Sequence, residues 1–426
     1  MTTAPGLDAL ARALAARAAV PVDETERGEA FLSVLDTLAV GHAARGSAIP
    51  ARLAGAGVLS EGPADQALLA ATTAHVLDYD DVQMSSVCHA SAVIVPALLA
   101  LRPRWPEADL AAAYHAGLRT LAVLARLLGP RHYMAGWHAT ATLGPFGAAA
   151  ALVQLAGGDA AVLRHALALA ACQAAGLQRS FGTDAKPLQA GLAAAAGVRA
   201  ALWAVAGVQG GDVLAANGFL DLYGAGGQGV ATLEQALQPA PHDQVSRKGY
   251  PCCYASQRLI AAAARLHAAA PPWQPGMRLR LRVQAGTLLP LVARVPDSAN
   301  SAKFCGAYLA AAALIDGTVG MRHFEPAALA RADIRACMEA TAIEETGPRA
   351  AALEDGSVHG AVLGAGGEML AEVEVLHFPG SPQQPLDLAQ MRAKVLDCCG
   401  GDTAAAAALW QQARALVPAS RVEEPA

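Results

Sequence analysis

Three carboxylates and an imidazole lie close together in a chain that carries little charge. Asp78, Asp80 and Asp81 precede His89, and apolar segments with a helical pattern lie on both sides. His75 lies three residues before Asp78, so the two share one face of the predicted helix and the carboxylate can orient the imidazole. Charged groups beside an apolar core are costly unless they are paired, hydrated or used in a reaction. The stretch therefore predicts either a proton-transfer site or a hydrated acidic loop with a structural histidine.

Two histidines are expected at the N-terminal ends of helices. His89 lies two residues before Ser91, a candidate helix cap, so the helix dipole should keep its imidazole neutral and able to accept a proton. His138 comes just before an apolar helix, together with Thr140 and Thr142. The free amides at the start of that helix could bind a carboxylate. The alternative for this second segment is a simple capping turn with a packed histidine.

Lys186 and Tyr308 complete the candidates that the residues themselves suggest. Pro187 fits the first position of a helix and therefore places Lys186 at a helix N-terminus, where a cation is disfavoured. Lys186 then needs a partner and suits the role of a base or an anion ligand, unless it lies on an exposed loop. Tyr308 is in another predicted helix and could reach a cleft between domains, although tyrosines in such places more often belong to the core.

The segments that must hold these residues are mostly helical up to about residue 237. Apolar residues recur at helical spacing, with Gly, Pro and Asp at the turns, in segments 31–44, 65–78, 91–101, 107–128, 144–155, 159–175 and 187–208. After residue 250 the pattern changes. We expect helices at 256–269 and 302–316, a strand at 277–283, and a hairpin at 357–363 and 369–376.

The order of these elements predicts a mainly α protein: a large all-helical domain, a smaller α+β domain and an active-site cleft between them. The large domain spans residues 1–250 and is expected to be completed by the C-terminal helical segment 386–426, while the smaller domain spans 251–385.

Composition narrows the function class. Hydrophobic residues make up 54% of the 426 residues, yet no uninterrupted apolar run is long enough to span a bilayer. A net charge of −5 with mixed signs offers no basic stripe for nucleic acid. The N-terminus lacks the features of a secretory signal, and the eight cysteines have no Cys-x-x-Cys spacing, which fits reduced thiols. We therefore expect a cytoplasmic protein that binds neither nucleic acid nor membrane.

Eight short segments, taken in order, resemble the 2-methylcitrate dehydratase family (MmgE/PrpD), which includes cis-aconitate decarboxylase and iminodisuccinate epimerase. They span nearly the whole chain: LDTLAVG (35–41), AHVLDYDD (74–81), HASA (89–92), GWHATATLG (136–144), KPLQAG (186–191), YPCC (250–253), SAKF (301–304) and FPGSP (378–382). The resemblance implies a homodimer and a small di- or tricarboxylate substrate. It also implies that a proton is removed from the carbon next to a carboxylate, with no metal or other cofactor. The family's active-site positions fall on Asp78, His89, His138, Lys186 and Tyr308.

Three positions depart from the family pattern. Val82 stands where threonine is frequent, Gln189 where histidine is usual, and Gln257 where many members carry a histidine. Glutamine can bind a carboxylate but cannot exchange a proton at neutral pH. The residues expected to bind substrate carboxylates are Lys186, Thr140, Thr142, Gln257 and Gln189.

The sequence thus predicts a lyase for a small polycarboxylate such as 2-methylcitrate or an aconitate. Because Gln257 cannot transfer a proton, an epimerase of a substituted succinate such as iminodisuccinate is the alternative enzyme. The non-enzyme alternative is a degenerate homodimer that only binds a polycarboxylate. The acidic stretch also resembles the acid motif of a terpene cyclase, but 7 Phe, 5 Trp and 7 Tyr are few for a carbocation cavity. A metal site formed by the three aspartates and His89 is a further chemical alternative.

Overall fold

A computed structural model describes residues 6–224, 231–238, 240–292, 295–348 and 355–419. In these ranges the first half of the chain is almost entirely helical. Its helices are α1 (Leu7–Ala18), α2 (Glu24–Ala43), α3 (Ala48–Gly55), α4 (Pro63–His75), α5 (Ala90–Leu101), α6 (Leu110–Leu128), α7 (Arg131–Met134), α8 (Ala139–Leu155), α9 (Ala160–Ala171), α10 (Ala185–Val205), α11 (Phe219–Tyr223) and α12 (Leu233–Leu237).

Small residues let the central helices of this larger domain pack closely. A Cβ atom on Gly191 of α10 would lie 2.2 Å from Thr72 Oγ1 and 2.5 Å from the Leu68 carbonyl oxygen of α4. A Cβ atom on Gly117 of α6 would lie 2.5 Å from the Gly147 carbonyl oxygen of α8. Helices that approach this closely exclude water and leave little room for movement. The alanine and glycine content of the sequence is therefore used at helix crossings.

By length and composition, α10 is the one helix within the described ranges that could cross a membrane. However, 67% of its apolar window is buried, and the helix packs against α4 and α8. This burial is typical of the central helix of a helical core, which must also be apolar on most sides.

The smaller domain combines a four-stranded sheet with helices. The strands are β3 (Arg278–Gln284), β4 (Thr341–Thr346), β5 (Val358–Leu363) and β6 (Met369–Val375), in the spatial order β4-β3-β5-β6. Its helices are α13 (Tyr254–Ala269), α14 (Ala299–Ala302), α15 (Gly306–Asp316), α16 (Pro326–Leu329) and α17 (Ala332–Glu339). β3 pairs in parallel with β4 and antiparallel with β5, which forms the predicted hairpin with β6. The period-two pattern of β3 buries Leu279, Leu281 and Val283.

The C-terminal helices α18 (Leu388–Cys398) and α19 (Thr403–Leu416) pack into the core of the larger domain. Trp410 contacts Phe31 of α2, with ring centroids 5.5 Å apart. Lys394 forms a buried ion pair with Asp36, 2.6 Å from Nζ to Oδ1, and also donates to the Tyr79 carbonyl. The chain therefore leaves the larger domain for the sheet and then returns to it.

These elements confirm the predicted fold class, with corrections at several helix ends. α2 begins seven residues before the predicted segment 31–44, and the helix predicted at 302–316 is divided into α14 and α15. α4 ends at His75 rather than at Asp78, whose φ of 55° lies in the left-handed region, so the two residues do not share a helix face. α8 begins at Ala139, five residues earlier than expected, because Pro145 fits inside it. A short two-stranded ladder, β1 (Val82–Gln83) with β2 (Val245–Ser246), joins the acidic loop to the segment before α13.

Candidate active site

Four helix ends meet beside this ladder. His75 is the last residue of α4, and His89 and His138 are the N-cap residues of α5 and α8. Lys186 lies in the first turn of α10. The pairing of β1 with β2 places Ser246 opposite Val82 and so brings Lys248, two residues after Ser246, to the same place. Helix ends turn the chain sharply, so five polar side chains from distant parts of the sequence can converge at one place.

Asp78 is the centre of this cluster. Its Oδ1 accepts hydrogen bonds from Nζ of Lys186 and of Lys248, each at 2.7 Å, and Lys248 also donates to the Asp78 carbonyl at 2.8 Å. Burial acts to raise the pKa of Asp78, but the two ammonium groups outweigh it and hold the pKa well below its usual value. Asp78 is therefore a fixed anion, and this argues for a positioning role rather than for proton transfer.

His75 and His89 share the carboxylate of Asp80. His75 Nδ1 lies 2.8 Å from Asp80 Oδ2, and His89 Nδ1 lies 3.0 Å from the same atom, with the two ring centroids 4.3 Å apart. Burial favours a neutral Asp80, but the contacts with the two imidazoles hold its pKa well below the usual value. The ionised Asp80 accepts the Nδ1 proton of His75, which leaves the unprotonated atom Nε2 with no hydrogen-bond partner among the described residues.

His138 is held by Gln189. Its Nδ1 lies 2.9 Å from Gln189 Oε1, and the Gln189 amide nitrogen donates to the Leu177 carbonyl at 3.3 Å. The glutamine oxygen is therefore the acceptor, so the proton of His138 lies on Nδ1. Its Nε2 is buried and finds no hydrogen-bond partner in the part of the chain that the structure describes. The ring centroid of His138 lies 5.0 Å from that of Phe181, in an edge-to-face contact, and 6.1 Å from that of His75, in a stacked contact.

Burial keeps all three imidazoles neutral at pH 7. It lowers the pKa of His89 to about 3, the pKa of His138 well below its usual value, and the pKa of His75 less strongly. For His89 the sequence suggested the helix dipole as the cause, whereas the structure assigns the larger effect to desolvation. Neutral imidazoles with a free nitrogen can accept protons.

A narrow cleft opens beside this cluster, between the two domains. His75, Asp78 and Lys186 line it from the larger domain, and Lys303 and Phe304 line it from the smaller domain. Lys186 Nζ lies 5.5 Å from the ring centroids of both Phe181 and Phe304. The cleft therefore combines charged groups with aromatic walls that limit access of water.

The charges around the cleft do not balance. Of the residues that line the cleft, Lys186 and Lys303 carry ammonium groups and Asp78 carries the one carboxylate, while the imidazole of His75 is neutral. Lys248 adds a third ammonium group beside Asp78. The sequence contains four lysines in all, and each of them is buried. A buried surplus of positive charge is costly unless an anion offsets it. This arrangement indicates a binding site for an anionic ligand.

The two threonines of the predicted site support the histidines instead of facing the cleft. Thr140 Oγ1 accepts the backbone N–H of His89 at 3.0 Å. Thr142 Oγ1 lies 2.7 Å from His132 Nε2 and also donates to the His138 carbonyl at 3.3 Å. Neither side chain lines the cleft. In the structure these hydroxyls hold the turns that carry His89 and His138.

Gln257 and Tyr308 also lie away from the cleft. The Gln257 amide bonds the backbone of the turn before α13, through Tyr250 N–H at 3.2 Å, the Tyr250 carbonyl at 2.9 Å and the Cys252 carbonyl at 3.3 Å. Tyr308 is buried in the core of the smaller domain, and its hydroxyl donates to the His323 carbonyl at 2.5 Å. The structure thus brings Asp78, His89, His138, Lys186 and Gln189 together, but not these two residues.

Two members of the cluster, Lys248 and Lys303, are missing from the residues proposed on sequence grounds. His75 and Asp80 were recognised there as part of the acidic stretch, but not as partners of each other. One signal in the sequence could have found the lysines: only four of the 31 basic residues are lysine, so the surface is built with arginine. The compact ammonium of lysine adapts its charge when it is buried, which arginine does not.

Among the residues that the structure describes, two groups of side chains have atoms close enough to hold a metal ion. One is His75, Asp78, Asp80 and His89, and the other, which does not line the cleft, is Glu26, His115 and His242. In the first group, Asp78 Oδ1 already accepts from two ammonium groups. A divalent ion there would meet two positive charges at contact distance, which strongly opposes its binding.

Comparison with known proteins agrees with the sequence segments. Residues 8–229 match the MmgE/PrpD N-terminal domain and residues 250–416 match the MmgE/PrpD C-terminal domain. Cis-aconitate decarboxylase of Mus musculus is 26% identical over 306 residues, which cover 66% of this chain and 61% of that protein. The Homo sapiens protein of the same name is 27% identical over 295 residues, covering 63% and 59%. The chain thus spans about three fifths of the length of these curated relatives.

Proposed function

Because the chain belongs to the MmgE/PrpD family, we propose that it is a lyase that acts on a small di- or tricarboxylate of the aconitate or 2-methylcitrate type. The observation that supports this most directly is the cleft itself. It holds more buried ammonium groups than carboxylates, next to neutral imidazoles with free nitrogen atoms. Such a site binds a polyanion and exchanges protons with it.

In the proposed reaction, Lys186 binds a substrate carboxylate and His138 moves the proton. Lys186 uses one N–H for Asp78 and has two further donors for the substrate. His138 Nε2 removes the proton from the carbon next to a carboxylate, and the electron pair forms the new double bond. The leaving hydroxide takes the proton that His138 Nε2 has removed, and water is released. In a decarboxylation, the bond between the carbon and its carboxyl group breaks instead, carbon dioxide leaves, and the electron pair that remains on the carbon takes a proton from water.

The ammonium groups also account for chemistry without a metal. The developing negative charge on the substrate carboxylate needs stabilisation in the transition state. Lys186 and Lys248, held by Asp78 at 2.7 Å, supply fixed positive charge in a water-poor site. Metal analysis of the active protein tests this, and a stoichiometric divalent ion needed for turnover would contradict it.

The proposal is tested with citrate, 2-methylcitrate, the aconitates and iminodisuccinate in deuterated water, followed by proton NMR. We expect elimination or loss of carbon dioxide from one of them. His138→Asn and His89→Asn should each slow turnover by about two to four powers of ten if both groups take part in proton transfer. His359→Asn is the matched control, because His359 lies on the exposed part of β5 and pairs with Glu374. Wild-type rates in both site variants would refute the scheme.

Epimerisation of a substituted succinate is the second candidate, and one observation favours it. Two imidazoles, His75 and His138, each offer an unprotonated Nε2, so one could remove a proton and the other return it. Deuterium uptake by iminodisuccinate without elimination would identify this reaction. Ligand binding without any exchange would instead support a polycarboxylate-binding protein with no catalytic activity.

We also propose a homodimer. The exposed apolar side chains Leu192 and Trp203 support it, because they lie on the same side of α10 and exposed large apolar side chains are a feature of interaction sites. Sedimentation of wild type and Trp203→Glu would test this, and a monomeric wild type would contradict it.

A further inference from the structure

Lys303 differs from the other three lysines of the chain. Lys186 and Lys248 pair with Asp78, and Lys394 pairs with Asp36. Lys303 is just as buried, with 3% of its surface exposed, yet it makes no ion pair or side-chain hydrogen bond with any described residue. Its nearest aromatic contact is the ring of Phe324, 5.5 Å from Nζ.

The backbone fixes Lys303 in this position. It is the C-cap residue of α14, and its carbonyl accepts the N–H of Cys253 at 3.0 Å, which ties it to the turn that follows Lys248. Its neighbour Phe304 packs near the ammonium of Lys186 across the cleft. Lys303 and Lys186 therefore stand on opposite walls of one cleft, each supplied by a different domain.

A buried cation without a partner lowers the stability of a protein. Burial is the main cause that lowers the pKa of Lys303 to about 8, and the nearby Lys186 acts in the same direction against the attraction of Asp78. The group is therefore still mostly charged at pH 7. Such an arrangement is expected where a ligand supplies the missing anion.

We propose that Lys303 binds a second carboxylate of the substrate, opposite the carboxylate that Lys186 binds, and so selects ligands that carry at least two carboxylates. This inference rests on the proposed function. It assigns to the smaller domain a residue that sets specificity, and it makes the bound ligand a bridge between the two domains.

Calorimetric binding of three unreactive ligands tests the inference: propane-1,2,3-tricarboxylate, glutarate and butyrate. Wild type should prefer the ligands with more than one carboxylate. Lys303→Met should bind the tricarboxylate about ten- to hundredfold more weakly, the usual effect of losing a hydrogen bond to a charged group, and butyrate within about twofold of wild type. Without ligand, Lys303→Met should be at least as stable as wild type, because it removes an unpaired buried charge.

The pH dependence of binding separates this role from a structural one. The charged and titratable groups facing Lys303 are Asp78, Lys186, Lys248 and Cys252. Asp78 has a lowered pKa, while Lys248 and Cys252 have raised pKa values, so none of these three changes charge near pH 8. Tricarboxylate affinity of wild type should fall above about pH 8, whereas Lys303→Arg, which stays charged, should keep its affinity to pH 9.5.

The outcomes distinguish the two proposals. If wild type binds the tricarboxylate and Lys303→Met binds it equally well, or loses affinity for all three ligands alike, the role of Lys303 is refuted while the proposed function stands. If wild type binds the tricarboxylate through Lys303 but transforms no polycarboxylate, the enzyme proposal fails and the binding role stands. If wild type binds none of the ligands, both are wrong.

Discussion

Replacing Gln189 by leucine should impair His138 without touching its ring. In the structure, Gln189 Oε1 is the acceptor that keeps the His138 proton on Nδ1 and leaves Nε2 free to act as a base. Leucine has a similar size but no acceptor. A buried N–H that loses its partner costs about 1–3 kcal/mol. The preference for the Nδ1–H tautomer is then lost, and the Nε2–H tautomer, which cannot accept a proton at Nε2, becomes populated as well.

The expected loss of rate in Gln189→Leu follows from this energy. A change of about 1–3 kcal/mol shifts the ratio of the two tautomers by about 5- to 150-fold towards the Nε2–H form. Because neither N–H of His138 then has a partner, about half of the molecules keep the competent tautomer, and we expect the proton-exchange rate of the substrate to fall by at least about twofold. Gln189→Glu is the matched control, because its carboxylate can accept from Nδ1 and favours the same tautomer. It should retain most of the rate and shift the acidic limb of the pH profile to higher pH, since a nearby negative charge raises the pKa of an imidazole.

The assay is deuterium exchange at the α-carbon, followed by proton NMR, with nitrogen-15 NMR of labelled histidine to read the tautomer of His138. Chemical denaturation of each variant controls for loss of folded protein. A Gln189→Leu enzyme with a wild-type rate would refute the reasoning. So would a Gln189→Glu enzyme as slow as the leucine variant, because the loss would then not depend on the acceptor.

Three further predictions concern stability and the position of Tyr308. The lowered pKa of His89, about 3, predicts that the free energy of unfolding falls as pH drops below about 6.5, because only the unfolded histidine then takes up a proton; urea unfolding at pH 7 and pH 5 measures this. Gly191→Ala should lower the free energy of unfolding by about 1–3 kcal/mol or more, because the new methyl group has no room at the crossing with α4. Gly41 in α2 has open space beside it, so Gly41→Ala should leave the free energy of unfolding unchanged or raise it by about 0.5–1 kcal/mol. Tyr308→Phe should lose about 0.5–1.5 kcal/mol of stability with turnover within about twofold of wild type; a hundredfold loss of turnover would instead support its predicted place in the site.

The helices were predictable because their signals are local. Apolar residues that recur every 3.6 positions, together with the positions of Gly and Pro, located the central helices within a few residues. Apolar residues at every second position located β3 and the hairpin of β5 and β6. β4 (Thr341–Thr346) was not found, since four of its six side chains are exposed and none is fully buried. Its parallel pairing with β3 joins segments about 60 residues apart, which no local pattern reports.

The site was predictable in its residue types but not in its geometry. The acidic loop, the two N-cap histidines and Lys186 were recognisable from their chemistry and from the family segments. The partners that define their roles come from elsewhere in the chain: Lys248 through the β1–β2 ladder, and Gln189 through the packing of α10 on α8. The structure has Tyr308 in the core of the smaller domain, and the sequence did not indicate this because a tyrosine in an apolar helix can face either the cleft or the core.

Asp78 shows why this site needed the three-dimensional structure. A carboxylate in an acidic loop suggests an acid or a base, but two ammonium groups at 2.7 Å keep Asp78 ionised and therefore unable to exchange protons near neutral pH. Its left-handed backbone, with φ of 55°, is a strained conformation for a residue other than glycine, and such strain persists where the surroundings impose it. Here the surroundings are Lys186 at the start of α10 and Lys248 before α13. Asp78 therefore joins two distant segments into one wall of the cleft and sets the positions of their positive charges, while the neutral imidazoles beside it are left to move protons.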